Sequence, residues 1–181
     1  MVIPSATRAG RSRRVTLRQE LDSLELYLGT ERLRLGERLR LEYAIEPEAL
    51  EGLIPSLLLQ PLLENSLKYA VSAREQGGRV RIEGRVRAGM LEVSVGDDGP
   101  GLREDLGPQE MRGVGLRNTR ERLAVHYRDA HRFTVSNTHP GLRVELSLPY
   151  ETLAREQPAA SPAEPRPRAA AALPERVEVG A

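Results

Sequence analysis

The chain of 181 residues has no cysteine, no tryptophan, one phenylalanine and one lysine, Lys68. Without cysteine there is neither a disulfide nor a thiolate metal site. The three histidines, His126, His131 and His139, show no metal-ligand spacing. Aromatic residues make up 3% of the chain, leaving almost no surface on which nucleic-acid bases would stack. The 27 basic residues are balanced by 26 acidic ones, and a net charge of +1 gives no global pull toward a polyanion. No apolar run is long enough to cross a bilayer, and the basic opening MVIPSATRAGRSRR is not followed by the apolar core of a signal peptide. The expectation is a soluble, cytoplasmic segment with no nucleic-acid partner and no membrane contact of its own.

What the chain does contain is ordered punctuation. Residues 1–15 read as a loose basic leader. Thr16-Leu-Arg-Gln19 has the form of a capping box, and Leu17, Leu21, Leu24 and Leu28 then follow one helical face, interrupted at Glu31 and stopped by Gly36. Leu39, Leu41, Tyr43 and Ile45 alternate as in a half-buried strand. IPSLLLQPLLENSLKYAV has a helical apolar face (Leu59, Leu62, Leu63, Leu67, Ala70), with Pro61 in its first turn. RVRIEGRVR and LEVSV form a hairpin across Ala88-Gly89. A helix opens at Gly113-Val-Gly115, with Leu116, Thr119 and Leu123 facing inward, and FTVSN and LRVELSLP close the domain as strands. Neighbouring strands with inserted helices indicate an α+β fold, a two-layer sandwich with a mixed sheet covered by helices on one face. Beyond Tyr150 the Pro/Ala-rich composition has no apolar period and reads as disorder.

Three polar motifs interrupt this pattern. The first is Glu64-Asn65 with Lys68 and Tyr69. Spacings of three and four put an amide oxygen, a cation and a phenol on one helix face, and a Mg²⁺ ion needs few protein oxygens. The second is the stretch VSVGDDGPGL, in which a strand ends in Asp97, Asp98, Gly99 and Gly101. Asp97 would accept a hydrogen bond from a base amino group, while the glycines would let backbone approach a flat ring. The third is Gly113-Val-Gly115, where a loop opens a helix and leaves free amides suited to phosphate. Read singly, the first fits an ordinary solvated helix face, the second a surface turn, and the third lacks the last glycine of a dinucleotide fingerprint.

Taken in order, an Asn-bearing helix, a hairpin, a DxGxG turn, a loop and a GxG-opened helix resemble the ATP-binding domain of the GHKL superfamily. VTLRQELDSLELYLGTERLRLGERLRLEYAI followed by IPSLLLQPLLENSLKYAV, with DDGPGL and GVGLRNTRERL as the glycine boxes, is similar to the LytS-type sensor histidine kinases over residues 15–149. The resemblance implies ATP and Mg²⁺ as cofactors. It implies Asn65 as the metal ligand and Asp97 as the adenine acceptor, with Gly99 and Gly101 beneath the base. Residues 102–112 would be the ATP lid, and Gly113 and Gly115 its hinge and phosphate donors. Tyr69 and Leu116 complete the nucleotide-binding set, Lys68 reaches toward phosphate, and Glu64 is a general base or water-positioning group. Helix 16–36 would correspond to the end of a dimerisation hairpin, and 37–150 to the catalytic domain.

Two departures qualify the resemblance. The family's last glycine box continues Gly-Thr, whereas here it reads Gly141-Leu142. The Asn-Pro-His-Phe phosphoacceptor segment is absent, and no histidine precedes His126. The resemblance therefore implies a catalytic domain that acts on an acceptor hairpin outside this chain, with a response regulator downstream and an inner-membrane anchor in other parts of a longer protein. The alternatives are a stand-alone GHKL serine kinase of the anti-sigma-factor type and a non-catalytic, nucleotide-dependent interaction module.

Overall fold

In a computed structural model, residues 13–102 and 114–156 are described. Helix α1 (Leu17–Leu35) begins as its sequence dictates: the Thr16 hydroxyl accepts from the Gln19 amide at 3.2 Å, and the Gln19 side chain accepts from the Thr16 amide at 3.1 Å. Two short strands flank it in space. β1 (Arg14–Thr16) pairs antiparallel with β3 (Leu53–Pro55), Val15 opposite Ile54. Arg14 and Val15, expected to end a loose leader, are thus part of the ordered domain.

Five strands make the main sheet: β2 (Leu39–Ile45), β4 (Gly78–Arg87), β5 (Met90–Asp97), β6 (Arg132–Asn137) and β7 (Leu142–Pro149). Their spatial order is β2-β4-β5-β7-β6. Only β2–β4 is parallel among these pairs, because the chain crosses over between them through residues 46–77; the other three pairs are antiparallel. The crossover carries helix α2 (Gln60–Ser66), which continues without a break as a π-helix, Leu67–Ser72. Helix α3 (Val114–Tyr127) lies between β5 and β6, and a short helix α4 (Leu153–Glu156) follows β7.

Strand alternation sorts the sheet into two faces. Val80 and Ile82 of β4, Leu91, Val93 and Val95 of β5, and Val144, Leu146 and Leu148 of β7 pack into one core with leucines from all three long helices. These are Leu17, Leu24 and Leu28 of α1, Leu62 and Leu63 of α2, and Leu116 and Leu123 of α3. Leu17, Leu24 and Leu28 of α1 are therefore consumed within the sheet domain, while Leu26 and Leu33 stay exposed. The expected two-layer α+β sandwich is the observed architecture. One boundary differs from the sequence reading. The apolar period of IPSLLLQPLLENSLKYAV suggests helix from its start, but Leu53–Pro55 is strand and the helix begins at Gln60, with Pro61 in its first turn as expected. Pairing with β1 decides the first residues, and the periodicity alone cannot report that.

Candidate nucleotide site

The three motifs meet on α2. Asp97 ends β5 on the helix-covered face, in the same column as Leu91, Val93 and Val95. Its carboxylate is already well tethered. Ser66 Oγ donates to Oδ2 at 2.8 Å, while the amides of Gly99 and Leu142 donate to Oδ1 at 3.0 and 3.3 Å. A carboxylate has about four acceptor positions, so one remains for a ligand donor. Burial pushes the Asp97 carboxyl above its ordinary 3.8, against the three hydrogen bonds, and the charge of Asp98 adds to the rise.

Asp98 has a different role despite its neighbour. It accepts from the Arg79 amide at 2.8 Å and from Arg74 Nη1 at 3.1 Å, tying the turn to the end of the crossover. Gly99 lies against α2's continuation: a Cβ there would come within 2.7 Å of the Ala70 Cβ. Gly141 is more constrained still. Its φ is +109°, and a Cβ would fall 1.7 Å from the Asp97 carbonyl oxygen. The Gly-Leu departure in the last box thus keeps its glycine where backbone must approach backbone, and Leu142 serves Asp97 through its amide.

Asn65 is half-buried one residue before the Asp97-bonded Ser66, and its amide has no hydrogen-bond partner among the described residues. A free amide oxygen beside the acidic turn fits a Mg²⁺ ligand. No group of three or more His, Cys, Asp or Glu residues able to hold a metal occurs among the described residues. Glu64 is exposed and accepts from Gln60 Nε2 at 2.8 Å within the helix.

Asn65 precedes the π-helix that starts at Leu67, and the other two residues of the expected face, Lys68 and Tyr69, lie within it. Lys68 and Tyr69 are both exposed, with the Lys68 ammonium 4.9 Å from the centre of the Tyr69 ring. Gly115, at the start of α3, faces α2's first turn: a Cβ there would lie 3.4 Å from the Pro61 Cβ. Leu116 is buried in the core. The expected lid lies, but for Leu102, outside the described residues, as does Gly113.

Several residues at the site had little or no signature. Ser66 acts only through tertiary contact with Asp97, and Gly141, marked in the sequence only as part of the last glycine box, meets the Asp97 backbone. Asn137, at the end of β6, brackets Leu102, accepting its amide at 2.6 Å and donating to its carbonyl at 3.1 Å. That fixes the point where the acidic turn leads into the next loop. Glu20 is 3% exposed and accepts from the amides of Leu57 and Leu59 at 2.8 and 3.0 Å. Arg122 of α3 donates to the carbonyls of Leu57, at 2.9 Å, and Ser56. Glu20 did have a signal: it is a charge on the apolar face of α1, between Leu17 and Leu24.

Residues 54–152 match the family described as histidine kinase-, DNA gyrase B-, and HSP90-like ATPase. The chain is 33% identical over 137 residues to the sensor histidine kinase YesM of Bacillus subtilis, covering 75% of this chain and 24% of YesM. It is 26% identical over 155 residues to the sensor protein LytS of Staphylococcus epidermidis, covering 81% of this chain and 26% of LytS. It thus spans about a quarter of the length of these relatives. Among solved structures, the catalytic domain of histidine kinase ThkA superposes with a TM-score of 0.62 at 15% identity, covering 76% of this chain and 97% of that domain, and so shares the fold. With the family model matching more than half its length, the chain belongs to the histidine kinase-, DNA gyrase B-, and HSP90-like ATPases.

Proposed function

We propose that the chain is the ATP-binding catalytic domain of a sensor histidine kinase, which holds ATP with Mg²⁺ and presents the γ-phosphate to a histidine outside this segment. The observation that carries the reading is the convergence of three motifs on α2: Pro61 against Gly115, Asn65 open to a ligand, and Ser66 and Ala70 against Asp97 and Gly99. Asp97 would accept the adenine amino group through its remaining acceptor position. Asn65 would hold Mg²⁺, which supplies charge neutralisation to the phosphates. The amides at the start of α3 would face the phosphates, with Lys68 within reach of them and Glu64 ordering the acceptor. Phosphoryl transfer asks chiefly for such positioning and electrostatic stabilisation. A response regulator would take the phosphoryl group onward.

None of the chain's own histidines lies in an Asn-Pro-His-Phe segment. His131 Nδ1 is engaged with the Arg128 carbonyl oxygen at 2.6 Å, His126 is half-buried beside Tyr127, and His139 lies at the hairpin turn before Pro140. We expect calorimetry to find one site for ATP–Mg²⁺ per chain. We also expect radiolabelled ATP to leave the chain unlabelled until an acceptor hairpin from a full-length kinase is supplied. Absence of binding at millimolar nucleotide would remove the reading. Acid-labile self-labelling lost on changing His126, His131 or His139 would relocate the acceptor.

A further inference from the structure

Helix α2 has no side-chain cap at its own N-terminus: Leu59 stands in the cap position, and Pro61 removes a donor from the first turn. The missing acceptor is supplied from α1. Glu20 takes the amides of Leu57 and Leu59 with its two oxygens, placing a buried negative charge at the positive end of α2. The other end is served by the same neighbourhood of the chain. Arg34 of α1 reaches Ser72 Oγ at 3.3 Å. Arg38, just beyond α1, donates to the carbonyls of Val71, Ser72 and Arg74 at 3.4, 3.3 and 2.7 Å. Midway, Tyr27 lies within electrostatic reach of Glu64. The segment from Glu20 to Arg38 therefore runs alongside the Asn65-bearing helix in the same direction. It presents an acid to the amides of Leu57 and Leu59 at one end and, at the other, Arg38 to the carbonyls of Val71, Ser72 and Arg74.

The grip extends to α3. The loop held by Glu20 through its amides is held through its carbonyls by Arg122, which lies on the helix that opens at the second glycine box. Leu57 within this loop has a positive φ of 58°, a conformation that an L-residue keeps only where its surroundings impose it. Glu20, residues 56–59 and Arg122 form a continuous path of charge-assisted hydrogen bonds from α1 to α3. Residues 56–59 lead directly into α2, which carries Asn65, and Arg122 lies on α3, whose first turn contains Gly115.

We infer that α1 is a positioning element for the nucleotide site: Glu20 and Arg122, acting through residues 56–59, set the relative placement of α2 and α3, so that displacement of α1 changes nucleotide affinity. The inference rests on the proposed ATP site. It adds to that site a direction of control, in which a movement imposed on α1 alters binding although α1 need not touch the ligand. Linkage makes the effect reciprocal, so bound nucleotide must steady α1 by the same factor.

The test uses the full chain, with ATP–Mg²⁺ as the probe. Amide hydrogen exchange across residues 17–35 and 56–59 is followed with and without nucleotide. Dissociation constants are measured for wild type, Glu20→Gln, Arg122→Gln and the double variant. The expected result is slower exchange in both segments on binding and a loss of affinity of about 5- to 150-fold in each single variant. The double variant should lose less than the product of the two, because both act through one loop. Affinities within twofold of wild type, or nucleotide that leaves exchange in α1 and residues 56–59 unmoved, would overturn the inference. If Glu20→Gln does not fold, the wild-type exchange experiment decides alone. Wild type that binds nucleotide without steadying α1 removes only the coupling. Wild type that binds none removes the site and the coupling together.

Discussion

The two faces of the sheet carry two carboxylates with opposite fates. On the covered face, Asp97 completes an apolar column, and burial pushes its carboxyl up. On the open face, Glu83 is surrounded by charge. It pairs with Arg143 and Arg81 and accepts from Ser94 Oγ at 3.2 Å. Partial burial would raise it, but the Arg143 hydrogen bond and the charges of Arg143 and Arg81 win and hold it below its ordinary 4.5. Around it, Arg79 and Arg81 pair with Glu42, Arg85 with Glu92 and Arg143 with Glu145. The covered face uses a strained, partly desolvated acid and leaves it one acceptor position to offer. The open face satisfies every such acid with arginine. Burial sets the balance at Asp97 and ion pairing sets it at Glu83.

The contrast can be broken at several strengths. Leu91→Ala, at a fully buried position on the covered face, should cost about 2–5 kcal/mol, read as a lowered denaturant midpoint. A loss under 1 kcal/mol would mean that this face does not hold the domain. Next comes Asp97→Asn. Removing the charged acceptor should weaken ATP by about 10- to 150-fold, the factor corresponding to a hydrogen bond to a charged group worth ~1.5–3 kcal/mol. Bare triphosphate should bind as before. The same substitution should leave stability at pH 7 equal or higher, because ionised Asp97 is disfavoured by burial. A protein that lost stability and binding in proportion would make Asp97 structural only.

The acid limb separates the two carboxylates by sign. Asp97 titrates above 3.8 in the folded chain, so its contribution favours folding below 3.8 and is lost as pH rises through the folded value. Adenine affinity, which needs the ionised form, should correspondingly fall on acidification at a pH above 3.8. Glu83 titrates below 4.5, so its contribution is present above 4.5 and is lost as pH falls through the folded value. Glu83→Gln should therefore flatten the acid loss of stability while leaving nucleotide affinity unchanged. At neutral pH its cost should be the smallest of the set, about 0–1 kcal/mol, as for partly exposed pairs. A Glu83 variant that lost nucleotide binding would connect the faces and erase the distinction.

How far the chain could be read in advance follows the range of the interactions. The capping box at Thr16 and Gln19, the strand columns and the Ala88-Gly89 hairpin are local, and they stand as the spacing predicts. Asp97 drew notice as the acid at which an apolar strand runs into a DxGxG turn, and it does end β5. β3 was hidden because its partner, β1, lies far away in sequence. The π-helix at Leu67–Ser72 left no mark in the spacing, because its residues suit an α-helix equally well. Ser66, Gly141, Asn137 and Arg122 acquire their roles only once distant segments meet. No local pattern distinguishes Arg122 from the other arginines of α3.

The one parallel pair of the main sheet also dictates an order of events. β4, β5, β7 and β6 are joined by antiparallel pairings, and the β4–β5 hairpin can close on its own turn. β2 can join β4 only after residues 46–77 have looped back and α2 has found its place over the nascent core. Closing so long a loop costs entropy before any contact offsets it, so the strand that precedes α2 is the slow one to dock. A newly made chain therefore has its β4–β5 hairpin in place early, while the edge next to α1 is still open. Until that edge closes, β4 offers its unpaired backbone to any other extended chain nearby, and crowding at synthesis would act there first.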